Sequence, residues 1–160
     1  MSNKNRTYLT LLTDIVTKKD NLLGQLILDT MKQANCFSES DFQEEKYDEI
    51  NQAKLLMLKE IESLDEGFGN VYEHIRNDLK ENKYVYETEI KRLQDRIRKI
   101  TEKGMRLQKL ENDNRKRFDT ILATQRTKVK DYKVSKKTAA TYYKNMMKQF
   151  EGDSAFSNRS

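Results

Sequence analysis

The most constraining feature of the sequence is a heptad pattern of apolar residues that begins at Tyr47. Its steps alternate between three and four residues, which is the spacing of a coiled-coil seam. The 160-residue chain contains no proline, which would break a helix interior, and Gly67 and Gly69 leave the phase unchanged. The pattern therefore predicts one long helix with a single buried stripe. Its members are Tyr47, Ile50, Lys54, Met57, Ile61, Leu64, Phe68, Val71 and Ile75.

A second seam follows one residue out of phase with the first. It consists of Tyr86, Ile90, Leu93, Ile97, Ile100, Gly104 and Leu107. Between the two seams lies the stretch 77–83, NDLKENK, which is rich in residues that tolerate turns. We interpret the phase change as an antiparallel hairpin turn. The stretch has no Gly or Pro, so an unbroken helix with a one-residue skip is the alternative.

Capping signals place the ends of the helices. Ser38 can accept a hydrogen bond from the first turn of the next helix, and Phe37 and Phe42 occupy the two positions of a hydrophobic staple. Charged residues make up 36% of the chain and apolar residues also 36%, which suits slender helices that bury one stripe each. We predict an all-α fold, an elongated antiparallel bundle of about three long helices with coiled-coil seams. The helices are predicted over 7–34, 39–78 and 84–121 or longer.

The far end of the second seam is less apolar than its beginning. Gly104, Glu111 and Asn114 place a void, a charge and an amide on it. At 1.5 Å per residue the stretch 86–121 extends about 54 Å, whereas the first helix extends about 42 Å. We therefore expect the third helix to project beyond its partners, with its polar end exposed.

The segment 122–150 differs in charge from the rest of the chain. It contains eight basic residues and one acidic residue, a net charge of +7, whereas the remainder carries −2. We predict a basic amphipathic helical segment that is partly disordered, followed by a disordered tail over 151–160. The charge is typical of a solvated face or of a surface for an acidic protein partner. Nucleic acid, or an anionic membrane surface, is the less favoured interpretation.

A stripe of aromatic and methionine side chains lies near the end of this segment. Methionine adapts to varied apolar partners, and amphipathic helices bind in grooves through such stripes. A partner-binding surface and a fourth helix folded onto the protein's own hairpin are both consistent with the pattern. The stripe has 4-3-4 spacing over Ala139, Tyr143, Met146 and Phe150, with Tyr142 and Met147 beside it.

The sequence contains no pattern typical of a catalytic, metal or cofactor site. The single cysteine, Cys36, has no companion for a disulfide or a CxxC motif. The single histidine, His74, lies beside the seam, where we expect it to face solvent. We predict a non-enzymatic protein without cofactor, metal or small-molecule substrate. No stretch approaches the roughly 20 apolar residues of a membrane span, so we expect a cytoplasmic protein.

Three stretches resemble the FlgN-type flagellar export chaperones, in a form seen in Gram-positive bacteria. IKRLQDRIRKITEKGMRLQKLENDNRKRF resembles the long third helix of that family, with Asn112 and Asn114 ahead of its apolar end. TYYKNMMKQF resembles the short C-terminal stretch of Gram-positive relatives. The extended basic segment departs from the family pattern, as does a C-terminal end without the Gly/Ser-rich character of enterobacterial members. NQAKLLMLKEIESLDEGF resembles the second helix, in which a Lys precedes paired apolar residues and a further one, here Lys54, Met57, Leu58 and Ile61.

The resemblance implies a chaperone that holds hook–filament junction proteins before secretion, prevents their premature assembly and delivers them to the flagellar type III export apparatus. Such chaperones bind an amphipathic C-terminal region of the client, and the cluster over 142–150 would fold over the complex. We expect a monomer or a weak homodimer. The seams alone also allow a homo-oligomeric coiled-coil scaffold or adaptor without a secretion client. The candidate partner-binding residues are Leu107, Leu110, Phe118, Ile121, Tyr142, Tyr143, Met146, Met147 and Phe150.

Overall fold

The computed structural model describes residues 2–38, 41–124, 140–141 and 143–146. Three long helices dominate this part of the chain, and its only β-type pairing is an isolated bridge between Phe37 and Phe42. The predicted all-α bundle of three long helices is therefore confirmed. The predictions for the basic stretch 125–139 and for the tail 151–160 lie outside the described residues. The helices are α1 (Ser2–Ala34), α2 (Glu44–Glu81) and α3 (Glu87–Thr124).

Helix α1 runs antiparallel to α2 and parallel to α3. Asn5 at its start bonds to Asp78 near the end of α2, with 2.6 Å between Nδ2 and Oδ2. Lys19 Nζ lies 2.6 Å from Asp65 Oδ1, near the middle of both helices. Cα atoms of α1 come within 8 Å of both α2 and α3, whereas α2 and α3 meet through their side chains. The gap between α2 and α3 is therefore the place where additional groups can pack.

Helices α2 and α3 form the antiparallel hairpin that the phase change predicts. Residues 82–86 make the turn, near the C-terminal edge of the predicted stretch 77–83, and the unbroken-helix alternative is wrong. Helix α2 continues to Glu81 because Asn82 closes its last turn. The Asn82 N–H donates to Asp78 O (2.9 Å), and Asn82 Nδ2 donates to Asp78 Oδ1 (2.5 Å). Helix α2 passes through both glycines of the first seam without interruption.

The core of the bundle is built from both seams together with α1. Part of each seam is buried within the single chain, whereas other members, such as Met57 and Val71, are half-buried against the core. His74 faces solvent, as predicted, and its Nδ1 lies 2.8 Å from Asn70 O. The seam residues with no more than 1% of their surface exposed are Lys54, Ile61, Ile75, Leu93, Ile97, Ile100 and Leu107.

Helix α2 begins at Glu44, five residues after the predicted start, and Ser38 does not cap it. The Ser38 hydroxyl does accept a bond from the Asp41 N–H (3.2 Å), as a cap would, but this bond closes a turn. The N-cap position belongs to Gln43, which makes no side-chain capping bond. Backbone bonds across the loop compete with the first turn of a helix, since Gln43 N donates to Cys36 O (3.0 Å).

The two residues predicted as a staple do touch, in a different backbone setting. The rings of Phe37 and Phe42 stack with centroids 5.1 Å apart and the residues pair as the β-bridge. A staple and a bridge place the same two side chains in contact, so the sequence signal was correct about the contact and wrong about the backbone.

The predicted exposure of the polar stretch of α3 is wrong, because Glu111 and Asn114 both contact the other helices. Helix α1 reaches Asn114, whose Nδ2 donates to Thr30 O (3.0 Å). Further along, the Phe118 ring packs against Phe42 and Tyr47, with centroids 6.0 and 5.9 Å away. The loop before α2 and the first turns of α2 therefore cover α3 as far as Phe118.

Candidate partner-binding site at the polar end of the bundle

We call the end at which α1 and α3 finish and α2 begins the polar end. At its centre is Lys54, a seam residue with 1% of its surface exposed. Lys54 Nζ donates to Gln33 Oε1 (2.5 Å) and to Glu111 Oε1, so one ammonium group joins all three helices. A buried charge is tolerated when it is paired and hydrogen-bonded. The polar side chains of α1 and α3 therefore allow the seam to contain a buried lysine.

The amide and the carboxylate that interrupt the second seam are matched by α1. Asn114 is buried, donates to Thr30 O, and accepts a bond from Arg117 Nη1 (2.8 Å). Thr30 Oγ1 lies 3.1 Å from Glu111 Oε1, the same oxygen that Lys54 contacts. Buried polar groups that require specific partners fix the register of packed helices. The polar end thus sets how α1 aligns with α3.

An aromatic cluster closes the outer side of the polar end. Tyr47 contacts Phe37 and Phe42, with ring centroids 5.4 Å away in both cases, and Phe118 completes the group from α3. Phe37 and Phe42 stack, and the other pairs meet at tilted or edge-on angles; stacked and edge-on arrangements are those that aromatic pairs prefer. The cluster gives this end an apolar rim around a polar centre.

Residues 140–141 and 143–146 are helical and pack on the polar end. Tyr143 and Met146 are buried in the common core, whereas Lys144 and Asn145 are exposed. Side chains three apart share one helix face, so the segment presents an apolar side to the bundle. Of the two interpretations of the C-terminal stripe, packing on the protein's own bundle holds for these two residues.

Tyr143 reaches residues of all three helices. The Lys54 ammonium lies 5.4 Å from the centroid of its ring, within the range of a cation–π contact. The Tyr143 hydroxyl lies beside Glu111 and Thr30 but makes no hydrogen bond of regular geometry among the described residues. The ring is therefore well accommodated, while its polar tip is not.

Burial changes the titration of the groups at the polar end. Desolvation lowers the pKa of Lys54, and the Glu111 carboxylate opposes that change. Desolvation, then the charge of Glu111, raises the pKa of Tyr143 well above its usual value and raises the pKa of Tyr47 as well. Desolvation also raises the pKa of the Cys36 thiol, which is free and buried. A thiol of this kind stays protonated and is a poor nucleophile.

The structure distributes the predicted partner-binding residues over different environments. Leu107 and Phe118 are fully buried within the chain, Tyr143 and Met146 are buried at the polar end, and Leu110 and Ile121 are partly exposed on α3. The predicted residues Tyr142, Met147 and Phe150 lie outside the described residues.

The central role of Lys54 and Glu111 at the polar end is not evident from the heptad periodicity alone. Both were recognised as seam residues, and a hairpin turn at 82–86 places a lysine at 54 opposite a glutamate at 111. Opposite charges at facing seam positions were therefore the available signal. Gln33 and Thr30 give no such signal, because uncharged polar residues are usually exposed on helices.

Comparisons with known proteins give no match: no protein-family model, no curated protein and no solved structure is similar to the chain. Within the described residues, no group of three or more His, Cys, Asp or Glu side chains is arranged to hold a metal ion. None of the described helices is long and apolar enough to cross a membrane.

Proposed function

We propose that the protein is a FlgN-type export chaperone that binds the C-terminal amphipathic helix of a hook–filament junction protein at its polar end. The observation that supports this most strongly is the burial of Tyr143 and Met146 there. A helical segment with apolar side chains three apart already packs on this end. Helix-in-groove recognition uses the same spacing of anchors, so a client helix with a similar stripe would find a compatible surface.

The client helix would take the place of the segment 140–146 in this proposal. This differs from the expectation that the C-terminal cluster folds over a bound client. The reason is the Tyr143 hydroxyl, which is buried without a regular hydrogen bond. The hydroxyl lies beside Glu111 and Thr30 without a bond of regular geometry, which offsets part of the free energy gained by burying the ring. A competing segment lowers the apparent affinity for a ligand until that ligand displaces it.

Departure of the segment would uncover groups suited to a client helix. The Lys54–Glu111 pair would become accessible to polar groups of the client, as would the apolar surface that Tyr143 and Met146 cover. Leu110 and Ile121 lie on the same half of α3 and are already partly exposed. Leu107 is fully buried in the core, which makes it a support for this surface.

A binding measurement tests the proposal. A labelled peptide covering the C-terminal region of a hook–filament junction protein from the same genome would be titrated with the protein and followed by fluorescence anisotropy. We expect saturable binding to the unmodified chain. Tyr143→Ala with Met146→Ala removes the competing side chains, and we expect this double variant to bind about fivefold more tightly or better.

The exposed residues of the same segment provide a matched control. Lys144→Ala with Asn145→Ala changes two neighbouring residues that face solvent, and we expect the affinity to stay the same. Weaker binding by the Tyr143/Met146 variant alone would show that the segment folds over the client, and displacement would be wrong. Absence of binding by every variant would contradict the chaperone function itself.

The alternative, a homo-oligomeric coiled-coil scaffold, requires seams that pair between chains. The seam residues at 61, 75, 93, 97 and 100 are instead buried within one chain. Light scattering at increasing concentration separates the two functions, because a constant monomer mass contradicts the scaffold.

A further inference from the structure

A groove between α2 and α3 lies at the opposite end of the bundle, which we call the hairpin end because it contains the turn. The groove has a volume of about 280 Å³ and is lined by the last turns of α2, by the turn and by the first turns of α3. Helix α1 contributes no lining residue. It packs on the other side, where Arg6 Nη1 lies 2.5 Å from Glu89 Oε1.

The floor of the groove is mainly apolar, with the buried amide of Gln94 beside it. Leu79 is buried in the core, and Tyr72 and Ile90 are half-buried side chains packed against it. The volume is near the lower limit of about 300 Å³ for small-molecule sites. It suits a few apolar side chains of a docking helix better than a complete ligand.

The rim of the groove is basic. Four cationic side chains line it, Arg76, Lys80, Lys83 and Lys91, and one carboxylate, Glu87. Lys91 pairs with Glu87 (3.1 Å), and Arg76 pairs with Glu73 one turn earlier (3.5 Å). Lys80 and Lys83 form no ion pair with any described residue, so their charges remain available to a partner.

Tyr84 stands at the tip of the hairpin with 94% of its surface exposed. Tyrosine is enriched among the residues that contribute most to binding at the centres of protein interfaces. Val85 beside it is also largely exposed. Of these two residues, Tyr84 lines the groove itself.

We propose that this groove binds an acidic amphipathic helix of a second protein, with apolar anchors on the Leu79–Ile90 floor and carboxylates beside Lys80 and Lys83. The charge complementarity selects this occupant. The chain's own segment 122–150 carries +7 and would be repelled by the same lysines. A recessed apolar floor favours a protein helix over nucleic acid, whose affinity comes mainly from phosphate contacts along an open basic surface. The site is independent of the client site, which lies at the other end.

The test uses a labelled peptide of roughly 20 residues, long enough to be helical, with leucines at i, i+3 and i+7 flanked by glutamates. Titration of the full chain should give saturable binding that weakens as salt rises, because the rim charges are exposed and screened. Two-dimensional NMR of the labelled protein should show the largest shifts for amides between residues 76 and 94.

Charge-reversal variants decide whether the groove carries this binding. Lys80→Glu with Lys83→Glu should weaken it about tenfold or more, since two attractive contacts become repulsive. Lys18→Glu with Lys59→Glu makes the same change in net charge on exposed sites outside the groove and should have little effect. Tyr84→Ser should weaken binding severalfold without affecting folding, because the side chain is exposed.

Three results would overturn the proposal. The first is the absence of saturable peptide binding. The second is an equal loss of affinity in the groove variant and the control variant. The third is tighter binding of a single-stranded RNA of matched charge with the same sensitivity to Lys80 and Lys83. Loss of client binding at the polar end would leave this inference untouched, since neither the probe nor the variants involve that end.

Discussion

The two ends of the bundle bury different chemistry. At the hairpin end the interior is apolar and the charges lie outside, on the rim of the α2/α3 groove. At the polar end a lysine, a glutamate and three amides lie inside, and a segment distant in sequence packs over them. Apolar burial contributes most of the free energy of folding. Buried ion pairs contribute little net stability and instead fix the alignment of their partners. Apolar burial along the whole bundle therefore stabilises the fold, while the buried polar groups at the polar end also fix the alignment of the helices.

This contrast also separates the two proposed binding modes. The groove at the hairpin end has a fixed floor, so an acidic helix would bind without rearrangement of the helices. The polar end is already occupied by Tyr143 and Met146, so a client helix would have to displace them. Exchangeable contacts belong to regions of low local stability. We therefore expect substitutions at the two ends to affect folding and client binding differently.

The largest effect should follow from breaking the buried ion pair at the polar end. Glu111→Leu leaves the Lys54 ammonium buried without its counter-charge, and we expect the free energy of unfolding to fall by about 3–5 kcal/mol. Urea denaturation followed by circular dichroism would measure this. The double variant Lys54→Met with Glu111→Leu should recover most of the loss, because a well-packed apolar pair can replace a buried ion pair. If the double variant is as unstable as the single one, the pair stabilises the fold by itself and the contrast between the ends is wrong.

A core truncation at the hairpin end should cost slightly less. Ile75 is completely buried, and Ile75→Ala should lower the free energy of unfolding by about 3 kcal/mol through lost burial and a cavity. Leu56→Ala, at a residue with 68% of its surface exposed, is the matched control and should change stability by less than about 0.5 kcal/mol. Client affinity should stay constant in both variants under native conditions. A change in client affinity for Ile75→Ala would mean that the two ends are coupled.

The seams, the phase change and the hairpin could be predicted from the sequence because they depend on local periodicity. Ile61 and Ile97, for example, lie on the apolar faces of their helices, so their burial does not depend on the exact alignment of the two helices. The start of α2 could not be predicted, because the Ser38 turn and the bridge compete with a helix cap built from the same residues. Predicting the Lys54–Glu111 contact would require knowing the position of the turn to within about a residue. Tyr143 contacts Lys54, which is distant in sequence, and no local pattern specifies such a contact.

The pH dependence of stability should sharpen the role of Tyr143. Its pKa is raised in the folded state, so above the unfolded value of 10.0 the unfolded chain loses a proton that the folded chain keeps. The contribution of Tyr143 is fully present below pH 10 and is lost as pH rises, by up to about 1.4 kcal/mol per pH unit. Lys54 acts in the opposite direction up to its unfolded value of 10.5, because burial lowers its pKa.

The variant Tyr143→Phe isolates this contribution. It keeps the ring and removes a buried hydroxyl that makes no regular hydrogen bond, so we expect a small gain in stability at neutral pH. In urea titrations above pH 10 it should lose stability less steeply than the unmodified chain. Tyr47 has a raised pKa as well and remains in both proteins, so the difference in slope reports on Tyr143 alone. Equal slopes would show that Tyr143 is not buried in solution.

The smallest effect concerns the middle of α2, where we expect substitutions to change the free energy of unfolding but not the affinity for either peptide. A Cβ added at Gly69 meets no atom within 4 Å, so Gly69→Ala should raise the free energy of unfolding by about 0.5–1 kcal/mol through helix propensity alone. Gly67→Ala is a matched control, because its Cβ would lie 3.8 Å from Ile15 Cδ1, an ordinary contact, and a similar gain is expected. Calorimetry should show a higher melting temperature for both variants, with unchanged affinity for the client peptide and for the acidic peptide. If added helix stability in this region weakened client binding, displacement at the polar end would require α2 to bend, and the two ends would not be separate.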